Sequence, residues 1–424
     1  MKVIVVGGGW AGCAAALSAR KQGAETLLVE RTDMLLGTGL VGGIMRNNGR
    51  FTATEEMIAM GGGELFKLVD RNTLHQNIEF PGHHHVSLYN VANMEPLVRG
   101  FLRERGIDIH LATRIEDVEM GEKGVRVVVG KKADERIRYE GDAFIDTTGT
   151  GGPPSNCTKY GNGCVMCILR CPSFGGRISL TAKAGIQERV GRKGGQIGAM
   201  SGSCKVLKES LSREVVNELN QKGVVVISIP PAEKLKGKLS IKACQQYALP
   251  EFEENLIFLN TGHAKLMTPF FPLEILRRIP GCENARYEDP YAGGIGNSIR
   301  YIGMAPRDDA LKVEGIENLF CAGEKAGLLV GHTEAIVTGT LAGYNAVKHA
   351  RKEKPLVLPE TLAAGDAIRY VRTQMETEEG LSYKYTFSGS IYLERMKAKG
   401  LYVTDPKEIE RRVDQAGLSG VFAK

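Results

Sequence analysis

A glycine-rich turn near the start of the chain constrains the fold more than any other feature. The turn follows a β-branched run at Lys2–Val6, which has the composition of a buried parallel strand. Gly7 permits a tight turn, Gly9 lets the backbone approach a pyrophosphate, and Gly12 lets the following helix pack against the strand. The phosphates then meet the free N–H groups at the positive end of that helix. The segment therefore predicts a strand–turn–helix unit that binds a dinucleotide.

An acidic residue after the next apolar run supports this prediction. Leu27–Val29 has the pattern of a second strand, and Glu30 follows it, about 20 residues after the turn, where a carboxylate can accept hydrogen bonds from an adenosine ribose. We expect Trp10, Ala11 and Arg31 to complete this part of the cofactor site. The alternative is a glycine-rich turn in an ordinary α/β unit that holds no ligand.

Length and composition indicate a globular protein of two domains. The chain has 424 residues, of which 42% are hydrophobic and 25% charged, and its formal net charge is +6. The apolar start carries the glycine pattern and lacks the small-residue cleavage site of a signal peptide. No apolar run approaches the length of a membrane span. We expect a cytoplasmic protein that does not bind a membrane.

Three separated segments have the strand and helix patterns of one nucleotide-binding domain: residues 1–50, 93–150 and 291–350. Residues 51–92 and 151–290 are predicted to build an inserted α+β domain that holds the substrate and a cysteine cluster. Residues 351–424 are predicted to form a helical tail. The expected fold class is therefore α/β, with a discontinuous Rossmann-like cofactor domain and an insertion.

Two later strands end in turns that predict further parts of the cofactor site. Ala143–Gly151 is a strand that ends in a threonine–glycine turn, and Asn318–Glu324 is a short strand that ends in glycine and a carboxylate. Backbone at the first turn can approach a nucleotide, and the carboxylate of the second can hold ribityl hydroxyls. The residues expected to contact the cofactor in these turns are Thr148, Gly149, Gly323 and Glu324.

A glycine-rich entry at Gly327–Gly331 precedes a helix of small residues. The N-terminus of this helix can direct N–H groups and a partial positive charge at an electron-rich flavin ring. Gly331 and Thr333 are therefore predicted to contact the cofactor. His332 is a candidate catalytic residue because it can hydrogen-bond the ring or transfer a proton. The alternative is a histidine that only caps or packs the helix.

Taken together, these motifs resemble the glutathione-reductase-like FAD superfamily. In that superfamily an N-terminal fingerprint, a mid-chain strand that ends in threonine–glycine and a C-terminal strand–glycine–acid motif converge on one FAD. All three are present here in the same order. The resemblance implies that FAD is the cofactor and that the chain is an FAD-dependent oxidoreductase. The sequence has no second complete G-x-G-x-x-G unit with a following acid, which disfavours a separate NAD(P)H domain.

A closer resemblance covers several further segments. Gly42–Ile44, Met60–Lys67 and the helix at Gly331–Asn345 are similar to the glucose-inhibited division protein A family. Leu358–Thr361 and Ala367–Val371 are similar to the folate- and FAD-dependent tRNA uracil methyltransferase family. Both families modify tRNA uridines with reduced flavin and a folate-borne one-carbon unit, so the resemblance implies tRNA as a substrate.

Four clustered cysteines follow the pattern C-x6-C-x2-C-x3-C-P: Cys157, Cys164, Cys167 and Cys171. A C-x2-C pair places two thiolates on one metal or within disulfide reach, and the closing C-x3-C-P is typical of a bacterial ferredoxin. Three interpretations stay open. All four cysteines hold an iron–sulfur cluster; or Cys164, Cys167 and Cys171 are catalytic as redox-active thiols; or the cluster is structural, for example a zinc site. Its place directly after Thr148–Gly152 predicts that it lies at the flavin edge.

Other polar residues are candidates for active-site contacts: Arg46 and Asn47 with flavin or phosphates, Arg177 with an anionic substrate, and Lys325 and Glu334 beside the candidate histidine.

The three adjacent histidines that begin at His83 invite a metal interpretation. In a strand, however, neighbouring side chains point to opposite faces, so these three cannot share one ion without a loop.

The expected function is redox chemistry through FAD. Electrons would pass between FAD and a bound small-molecule substrate or a redox partner protein, with the cysteine cluster as one route. The alternative function is FAD- and folate-dependent modification of a tRNA uridine. For this alternative the basic stretch Lys183–Lys242 would supply a nucleic-acid-binding face, although such a stretch can also be a solvated surface. We expect a homo-oligomer.

Overall fold

The computed structural model describes residues 1–149, 170–193, 196–197, 199–200, 204–237, 239, 245–267, 271–288, 299–300 and 302–423. In chain order its strands are β1 (Lys2–Val6), β2 (Glu25–Val29), β3 (Ile44–Met45), β4 (Thr73–Phe80), β5 (His83–Tyr89), β6 (Asp108–His110), β7 (Arg114–Met120), β8 (Val125–Lys132), β9 (Glu135–Glu140), β10 (Ala143–Asp146), β11 (Arg189–Val190), β12 (Arg192–Lys193), β13 (Gln196–Ile197), β14 (Ala199–Met200), β15 (Cys204–Val206), β16 (Val224–Ser228), β17 (Asn255–Asn260), β18 (Ala264–Leu266), β19 (Ile299–Arg300), β20 (Gly303–Met304) and β21 (Leu319–Cys321). Its α-helices are α1 (Trp10–Lys21), α2 (Gly39–Gly42), α3 (Gly49–Ala59), α4 (Glu64–Asp70), α5 (Val91–Glu104), α6 (Cys171–Phe174), α7 (Leu180–Lys183), α8 (Arg213–Lys222), α9 (Glu251–Glu254), α10 (Leu273–Leu276), α11 (His332–Ala350), α12 (Ala363–Gln374), α13 (Ser390–Ala398) and α14 (Pro406–Gln415). Short 3-10 helices lie at Lys208–Ser210, Pro231–Glu233, Gln245–Tyr247, Gly323–Lys325 and Gly380–Ser382. In this described part of the chain, no helix has both the length and the apolar character needed to cross a membrane.

A parallel sheet of five strands, in the order β21–β10–β1–β2–β6, forms the centre of the fold. Its strands are rich in valine, isoleucine and leucine, and Val3, Ile4 and Val5 are fully buried, as expected for a sheet covered on both faces. In register, Val5 lies between Leu28 of β2 and Ile145 of β10. The carboxyl ends of the parallel strands therefore meet at one edge. This architecture confirms the predicted α/β class.

Helices α1 and α11 pack against each other at unusually short range. A Cβ atom added at Gly339 would lie 2.2 Å from the carbonyl oxygen of Ala11, and one added at Gly343 would lie 2.2 Å from that of Ala15. Both distances are far inside van der Waals contact, so the two backbones can approach this closely only where α11 carries glycine. The two contacts have the same spacing in both helices, so the helices run parallel.

Three antiparallel sheets surround the central one, in the orders β7–β8–β9, β3–β5–β4 and β15–β18–β17–β16. Two-stranded ribbons are formed by β11–β20, β12–β13 and β14–β19. The four-stranded sheet has a hydrophobic core of its own with α8, which includes Leu219, Phe258 and Phe271. A smaller core joins the same sheet to β4 and β5 through Phe80 and Leu88. The four-stranded sheet β15–β18–β17–β16, which we name the inserted sheet, is thus fixed to the β3–β5–β4 sheet by apolar packing.

Helix α3 and the C-terminal helices pack into the same core as the central sheet. Met57 of α3, Val371 of α12 and Val413 of α14 are fully buried members of that core. The Glu56 carboxylate of α3 also accepts the first two N–H groups of α12, at 2.7 and 2.9 Å. The tail therefore shares its core with α3 and the cofactor domain. The division of the chain into domains stays a prediction.

Gly339→Ala is expected to destabilise the protein, because the added methyl group meets the backbone of α1. Overpacking of this kind lowers stability by about 1–3 kcal/mol. The matched control is Gly100→Ala in α5, where an added Cβ meets no atom within 4 Å. The control should stabilise the protein by roughly 0.5–1 kcal/mol, the difference between alanine and glycine in a helix. Guanidinium unfolding followed by circular dichroism measures both changes, and a Gly339→Ala protein as stable as wild type would contradict the close packing.

Candidate active site

A single large cavity lies where the strands of the central sheet end. Its walls include Val6, Val29, Thr147 and Ala322, which end or directly follow β1, β2, β10 and β21. The empty space measures about 1740 Å³, including the part that is open to solvent. The crevice beyond the carboxyl ends of the strands is also where open α/β sheets bind nucleotides.

The three glycines of the N-terminal turn differ in their surroundings. Gly7 has a φ of +107°, and a Cβ added at Gly12 would lie 1.8 Å from the Gly7 carbonyl oxygen. The turn and the packing of α1 therefore require glycine at both positions. At Gly9, which lines the cavity, an added Cβ would meet no protein atom within 4 Å. The open space beside Gly9 and the N-terminus of α1 is what a pyrophosphate at this turn requires.

Glu30 is oriented by two backbone groups in the cavity wall. Its Oε2 accepts the Gly8 N–H at 2.6 Å, and its Oε1 accepts the Thr32 N–H at 2.8 Å. These bonds fix the carboxylate directly after β2. A carboxylate has about four lone-pair sites, so two remain for the hydroxyls of a ribose.

Buried polar contacts hold the turns after β10 and β21. Asp146 at the end of β10 is fully buried; its Oδ1 accepts the Thr148 N–H at 3.0 Å, and its Oδ2 accepts the Thr181 N–H at 2.8 Å. After β21, the Gly323 N–H donates to Thr338 Oγ1 at 2.9 Å. Both turns line the cavity and are therefore presented to a ligand in fixed positions.

The N-terminus of α11 also faces the cavity through Gly331, His332 and Ala335. Gly331 has a φ of +152°, and an added Cβ would lie 2.0 Å from Glu334 Oε2 and 2.1 Å from Arg50 Nη2. Arg50 Nε donates to both carboxylate oxygens of Glu334 at 3.1 Å, and both side chains are buried. This ion pair packs against Gly331 and so fixes the first turn of α11 against α3.

The His332 ring is enclosed by backbone and by aromatic side chains. A Cβ added at Gly42 would lie 1.7 Å from its Cε1, and the Trp10 ring centroid is 6.3 Å from its own. Its Nδ1 lies 3.4 Å from the Tyr89 hydroxyl, which donates to the Gly39 carbonyl oxygen at 3.0 Å. Because that hydroxyl has one proton, which it donates to the carbonyl, a hydrogen bond between the hydroxyl and Nδ1 requires the proton on Nδ1. Burial raises the pKa of Tyr89 well above its usual value, so the phenol stays protonated.

The inserted sheet and the 3-10 helix at Gln245–Tyr247 supply another wall of the same cavity. Lys265 lies in β18 and Met267 directly after it, and Gln246 and Tyr247 lie in the 3-10 helix. Lys265 of β18 is 6% exposed, and its Nζ donates to the carbonyl oxygens of Val41 and Gly42. These two carbonyls belong to α2, whose last residue also contacts the His332 ring. A buried ammonium group and an aromatic ring therefore share the cavity with the N-terminus of α11.

Four arginines line another part of the cavity: Arg31, Arg114, Arg170 and Arg177. Arg31 directly follows Glu30, and its charge interacts with Glu30, Cys171, Arg170 and Arg114. Burial lowers the pKa of Arg31 from its usual value, but a guanidinium remains charged at neutral pH. The arginines thus line the side of the cavity where the Glu30 carboxylate lies.

Most residues predicted to contact the cofactor line the cavity: Gly7, Gly9, Trp10, Ala11, Glu30, Arg31, Thr148, Gly149, Gly323, Glu324 and Gly331. The candidate catalytic residue His332 lines it as well. Gly12 and Thr333 are not among the described residues that line the cavity. Gly12 packs on the backbone of the turn, and Thr333 is fully buried. These two residues shape the site from behind.

Two further candidates are engaged away from the cavity. Arg46 forms ion pairs with Glu55 at 2.5 Å and with Asp70 at 2.6 Å. Lys325 is fully buried and pairs with Glu188. The prediction that Arg46 touches flavin or phosphates is therefore wrong, because two carboxylates hold its guanidinium elsewhere.

Several residues of the site were not identified from the sequence: Arg50, Tyr89, Tyr247 and Lys265. Arg50 lies 284 positions from its partner Glu334, and Lys265 lies 223 positions from the Gly42 carbonyl that it contacts. No local motif marks pairs so far apart in sequence. The single signal for Lys265 is its position between two apolar residues of a short strand, which is typical of a buried lysine.

The cysteine cluster falls largely outside the described residues, since Cys157, Cys164 and Cys167 lie there. Cys171 is described and half-buried, and it lies on the side of Arg31. The predicted place of the cluster at the flavin edge stays a prediction. Within the described ranges, no three His, Cys, Asp or Glu residues are grouped so that they could hold a metal. The iron–sulfur, dithiol and structural interpretations stay predictions.

The other described cysteines are buried in the hydrophobic cores: Cys13, Cys204, Cys282 and Cys321. Burial raises the pKa of the Cys282 thiol to about 12 and raises those of Cys13 and Cys321 further. At neutral pH these groups stay thiols, which are poor nucleophiles. They are core residues rather than candidates for redox chemistry.

The three adjacent histidines lie in strand β5 and alternate between its faces. His83 is fully buried, with Nδ1 at 3.0 Å from Asn47 Nδ2 and Nε2 at 2.9 Å from the Gln246 carbonyl oxygen. His84 is exposed and lies 3.0 Å from Glu79. The predicted alternation is confirmed, and the first two histidines cannot share one ion.

Comparison with known proteins relates these features to flavoproteins. A family model described as FAD dependent oxidoreductase matches residues 2–152, and one described as Glucose inhibited division protein A matches residues 252–354. The first match covers the glycine turn, Glu30 and the turn after β10. The second covers β17, β18, β21 and α11, and so joins the inserted wall of the cavity to its α11 side.

Individual relatives show the same likeness. Over 420 aligned residues the chain is 23% identical to the tRNA uridine 5-carboxymethylaminomethyl modification enzyme MnmG of Syntrophomonas wolfei, covering 85% of this chain and 64% of that protein. Over 102 residues it is 34% identical to the methylenetetrahydrofolate–tRNA-(uracil-5-)-methyltransferase TrmFO of Thermus thermophilus, covering 23% of this chain and 22% of that protein. The solved structure of Aquifex aeolicus GidA matches 98% of this chain and 73% of its own, with a TM-score of 0.68 and 16% identity, which supports the fold. The alignments thus span less than two thirds of the length of the MnmG and TrmFO relatives.

Gly9→Ala is expected to weaken FAD binding, whereas Gly12→Ala is expected to lower the stability of the apoprotein. The methyl group of Gly9→Ala enters open space, so the apoprotein should keep its stability within about 0.5 kcal/mol while FAD binding weakens. The methyl group of Gly12→Ala meets the Gly7 carbonyl and should destabilise the apoprotein by about 1–3 kcal/mol. Thermal unfolding of the apoproteins and titration with FAD separate the two effects. Unchanged FAD affinity in Gly9→Ala would mean that no ligand approaches this turn.

Proposed function

We propose that this FAD-dependent enzyme of the glutathione-reductase-like superfamily, which is similar to the glucose-inhibited division protein A and folate-dependent tRNA uracil methyltransferase flavoproteins, modifies a uridine of tRNA. The one-carbon donor is a methylenetetrahydrofolate, as in the name of the TrmFO relative. The observation that carries the proposal is one cavity with two walls, the nucleotide-binding edge of the central sheet and the inserted sheet. Electron transfer through the cysteine cluster has less support, because the similar proteins are tRNA-modifying enzymes.

The residues of the cavity fit FAD. The open space beside Gly9 accommodates a pyrophosphate at the N-terminus of α1, and Glu30 has lone pairs left for the adenosine ribose. Gly323 and Glu324 would hold the ribityl chain, and the first turn of α11 would hold the ring system. When bound in its reduced form, the flavin would supply electrons to the one-carbon unit, which is chemistry that no protein side chain provides.

The first turn of α11 contributes electrostatic stabilisation. Its free N–H groups and partial positive charge face the cavity and stabilise negative charge that develops on a ligand there. The Arg50–Glu334 pair is buried and neutral overall, so it holds this turn in position without adding net charge. Arg50 and Glu334 are therefore positioning residues for α11.

His332 is the described side chain best placed to move a proton. The Tyr89 hydroxyl lies 3.4 Å from its Nδ1 and helps to orient the ring, which lines the cavity. A histidine imidazole can accept a proton from a substrate atom bound there. Loss of a proton from the uracil ring during substitution at its carbon is a step of this kind.

The inserted wall is suited to a planar substrate that bears carbonyl groups. Tyr247 offers an aromatic ring on which a base or a pterin can stack. The Lys265 ammonium group is buried in the same wall and is a hydrogen-bond donor, as uracil carbonyls require. Both properties match a uridine and a folate better than they match an aliphatic substrate.

The inserted domain also carries basic residues for contact with RNA: Lys205, Lys208, Arg213, Lys222 and Lys234. Lys222 pairs with Glu218 at 2.9 Å and Lys234 with Glu254 at 3.4 Å, both on the surface. Exposed pairs of this kind contribute little to stability, so phosphates can replace the carboxylates. We place the activity in the cytoplasm, where tRNA is found, and expect tRNA binding to weaken as salt rises.

Uridine modification can be tested directly with an unmodified tRNA transcript. The purified enzyme is incubated with FAD, methylenetetrahydrofolate, a reduced nicotinamide and the transcript, and the nucleosides are separated by mass spectrometry. We expect a uridine that has gained a one-carbon group, and we expect no such product when the folate is omitted. Turnover of the flavin without any modified uridine would contradict the proposed substrate.

His332→Gln is expected to slow the chemical step by about 10²-fold or more while FAD stays bound, because glutamine cannot accept the proton. Tyr89→Phe is the companion variant: it keeps the imidazole but loses the hydroxyl that orients it, so a smaller loss is expected. Single-turnover rates on the tRNA transcript measure both effects. A His332→Gln enzyme with the wild-type rate would show that this histidine only packs the helix.

A further inference from the structure

A short segment, residues 170–178, crosses the part of the cavity where Glu30 lies; we name it the strap. It consists of Arg170, helix α6, two glycines, Arg177 and Ile178, and three of its residues, Arg170, Arg177 and Ile178, line the cavity. The neighbouring wall is formed by Arg31 and by Thr113–Ile115 at the start of β7. The strap therefore lies beside Glu30 and Arg31.

The body of the cofactor domain holds the strap mainly by its backbone. Arg31 Nη1 donates to the Gly175 carbonyl oxygen at 2.6 Å, and Arg114 Nε donates to the Gly176 carbonyl oxygen at 2.9 Å. These two arginines come from separate elements, the end of β2 and the start of β7. Hydrogen bonds from a charged donor are among the stronger ones in proteins, so the two carbonyls are held firmly.

We name the two hydrogen bonds from Arg31 and Arg114 the clamp. Ion pairing and close packing also hold the strap. Arg170 Nη2 lies 2.6 Å from Asp33 Oδ1, and its guanidinium carbon lies 4.7 Å from the centre of the Phe174 ring. Gly175 has a φ of +74°, and an added Cβ would lie 2.9 Å from Arg114 Cδ. The strap thus needs glycine at this position to lie so near the arginine.

We propose that the strap closes over the adenosine half of the cofactor and that its clamp by Arg31 and Arg114 sets the rate at which FAD leaves. The reasoning is geometric: Glu30 marks the ribose, and the strap lines the cavity beside it. A ligand held under a clamped segment can leave only when the clamp opens, so weaker clamp contacts speed release. The inference rests on FAD as the cofactor and is independent of the proposed uridine substrate.

Two variants test the clamp from its two sides. Arg114→Gln removes the charged donor, and Gly175→Ala pushes the strap away from Arg114 without changing a residue that lines the cavity. Each is expected to speed the release of FAD roughly tenfold, the effect of losing one hydrogen bond to a charged group. Release is measured as the loss of bound radiolabelled FAD during a chase with unlabelled FAD. The double variant should release FAD little faster than either single variant, because both break the same contact.

Arg138→Gln is the matched control, since it removes one arginine charge from the exposed strand β9 and should leave the release rate unchanged. Amide exchange provides a second measurement: in the wild-type protein, FAD should slow exchange within residues 170–178. A release rate within twofold of wild type for Gly175→Ala would overturn the proposal, even if Arg114→Gln were faster, because Arg114 would then act by touching FAD directly. Amide exchange within the strap at the same rate with and without FAD would overturn it as well.

Discussion

The contact between Gly12 and the Gly7 carbonyl is the constraint on which the rest of the site depends. Any side chain at residue 12 would lie within 1.8 Å of that oxygen, so α1 can leave the turn in its observed direction only with glycine there. The direction of α1 brings it against α11, where further glycines allow backbone contact. The two helices then present their N-termini at the edge where the parallel strands end. One cavity with two positive helix ends is the result.

The chemistry of the cavity comes from elements that are distant in sequence. The Arg50–Glu334 pair joins α3 to α11, and Lys265 joins the inserted sheet to the carbonyls of α2. Each contact holds a cavity-lining segment through a buried charge, which is costly to bury unless its partners are in place. The cofactor side and the substrate side of the cavity are therefore coupled by their polar contacts. A substitution that removes one partner of either contact would leave a buried charge unpaired and would disturb both sides of the cavity.

The sequence predicted the parts of the fold that local physics determines. The β-branched run before Gly7, the glycine spacing and the acid at Glu30 each act within one strand–turn–helix unit, and the parallel sheet and the cavity wall agree with them. Arg50 was not predicted, because its role depends on a carboxylate 284 positions away. Arg46, which was predicted to contact flavin or phosphates, forms ion pairs with two nearby carboxylates.

The position of Cys171 shows a further limit of sequence reasoning. Its run follows the threonine–glycine turn directly, and nearness in sequence predicts nearness to the flavin edge. The structure adds contacts that the motif does not contain, because Arg31, after β2, and Arg114, in β7, hold the carbonyls of the two glycines that follow this run. The direction a chain takes after a turn is set by such tertiary contacts, which a linear motif does not contain.

The central claim is that this cavity holds FAD, and the flavin content of the purified protein tests it most directly. The protein is denatured, and the released cofactor is identified by chromatography and quantified by its absorbance. We predict one FAD per chain, either as purified or after incubation with FAD and removal of the excess. A protein that carries no flavin and retains none after incubation would contradict the account.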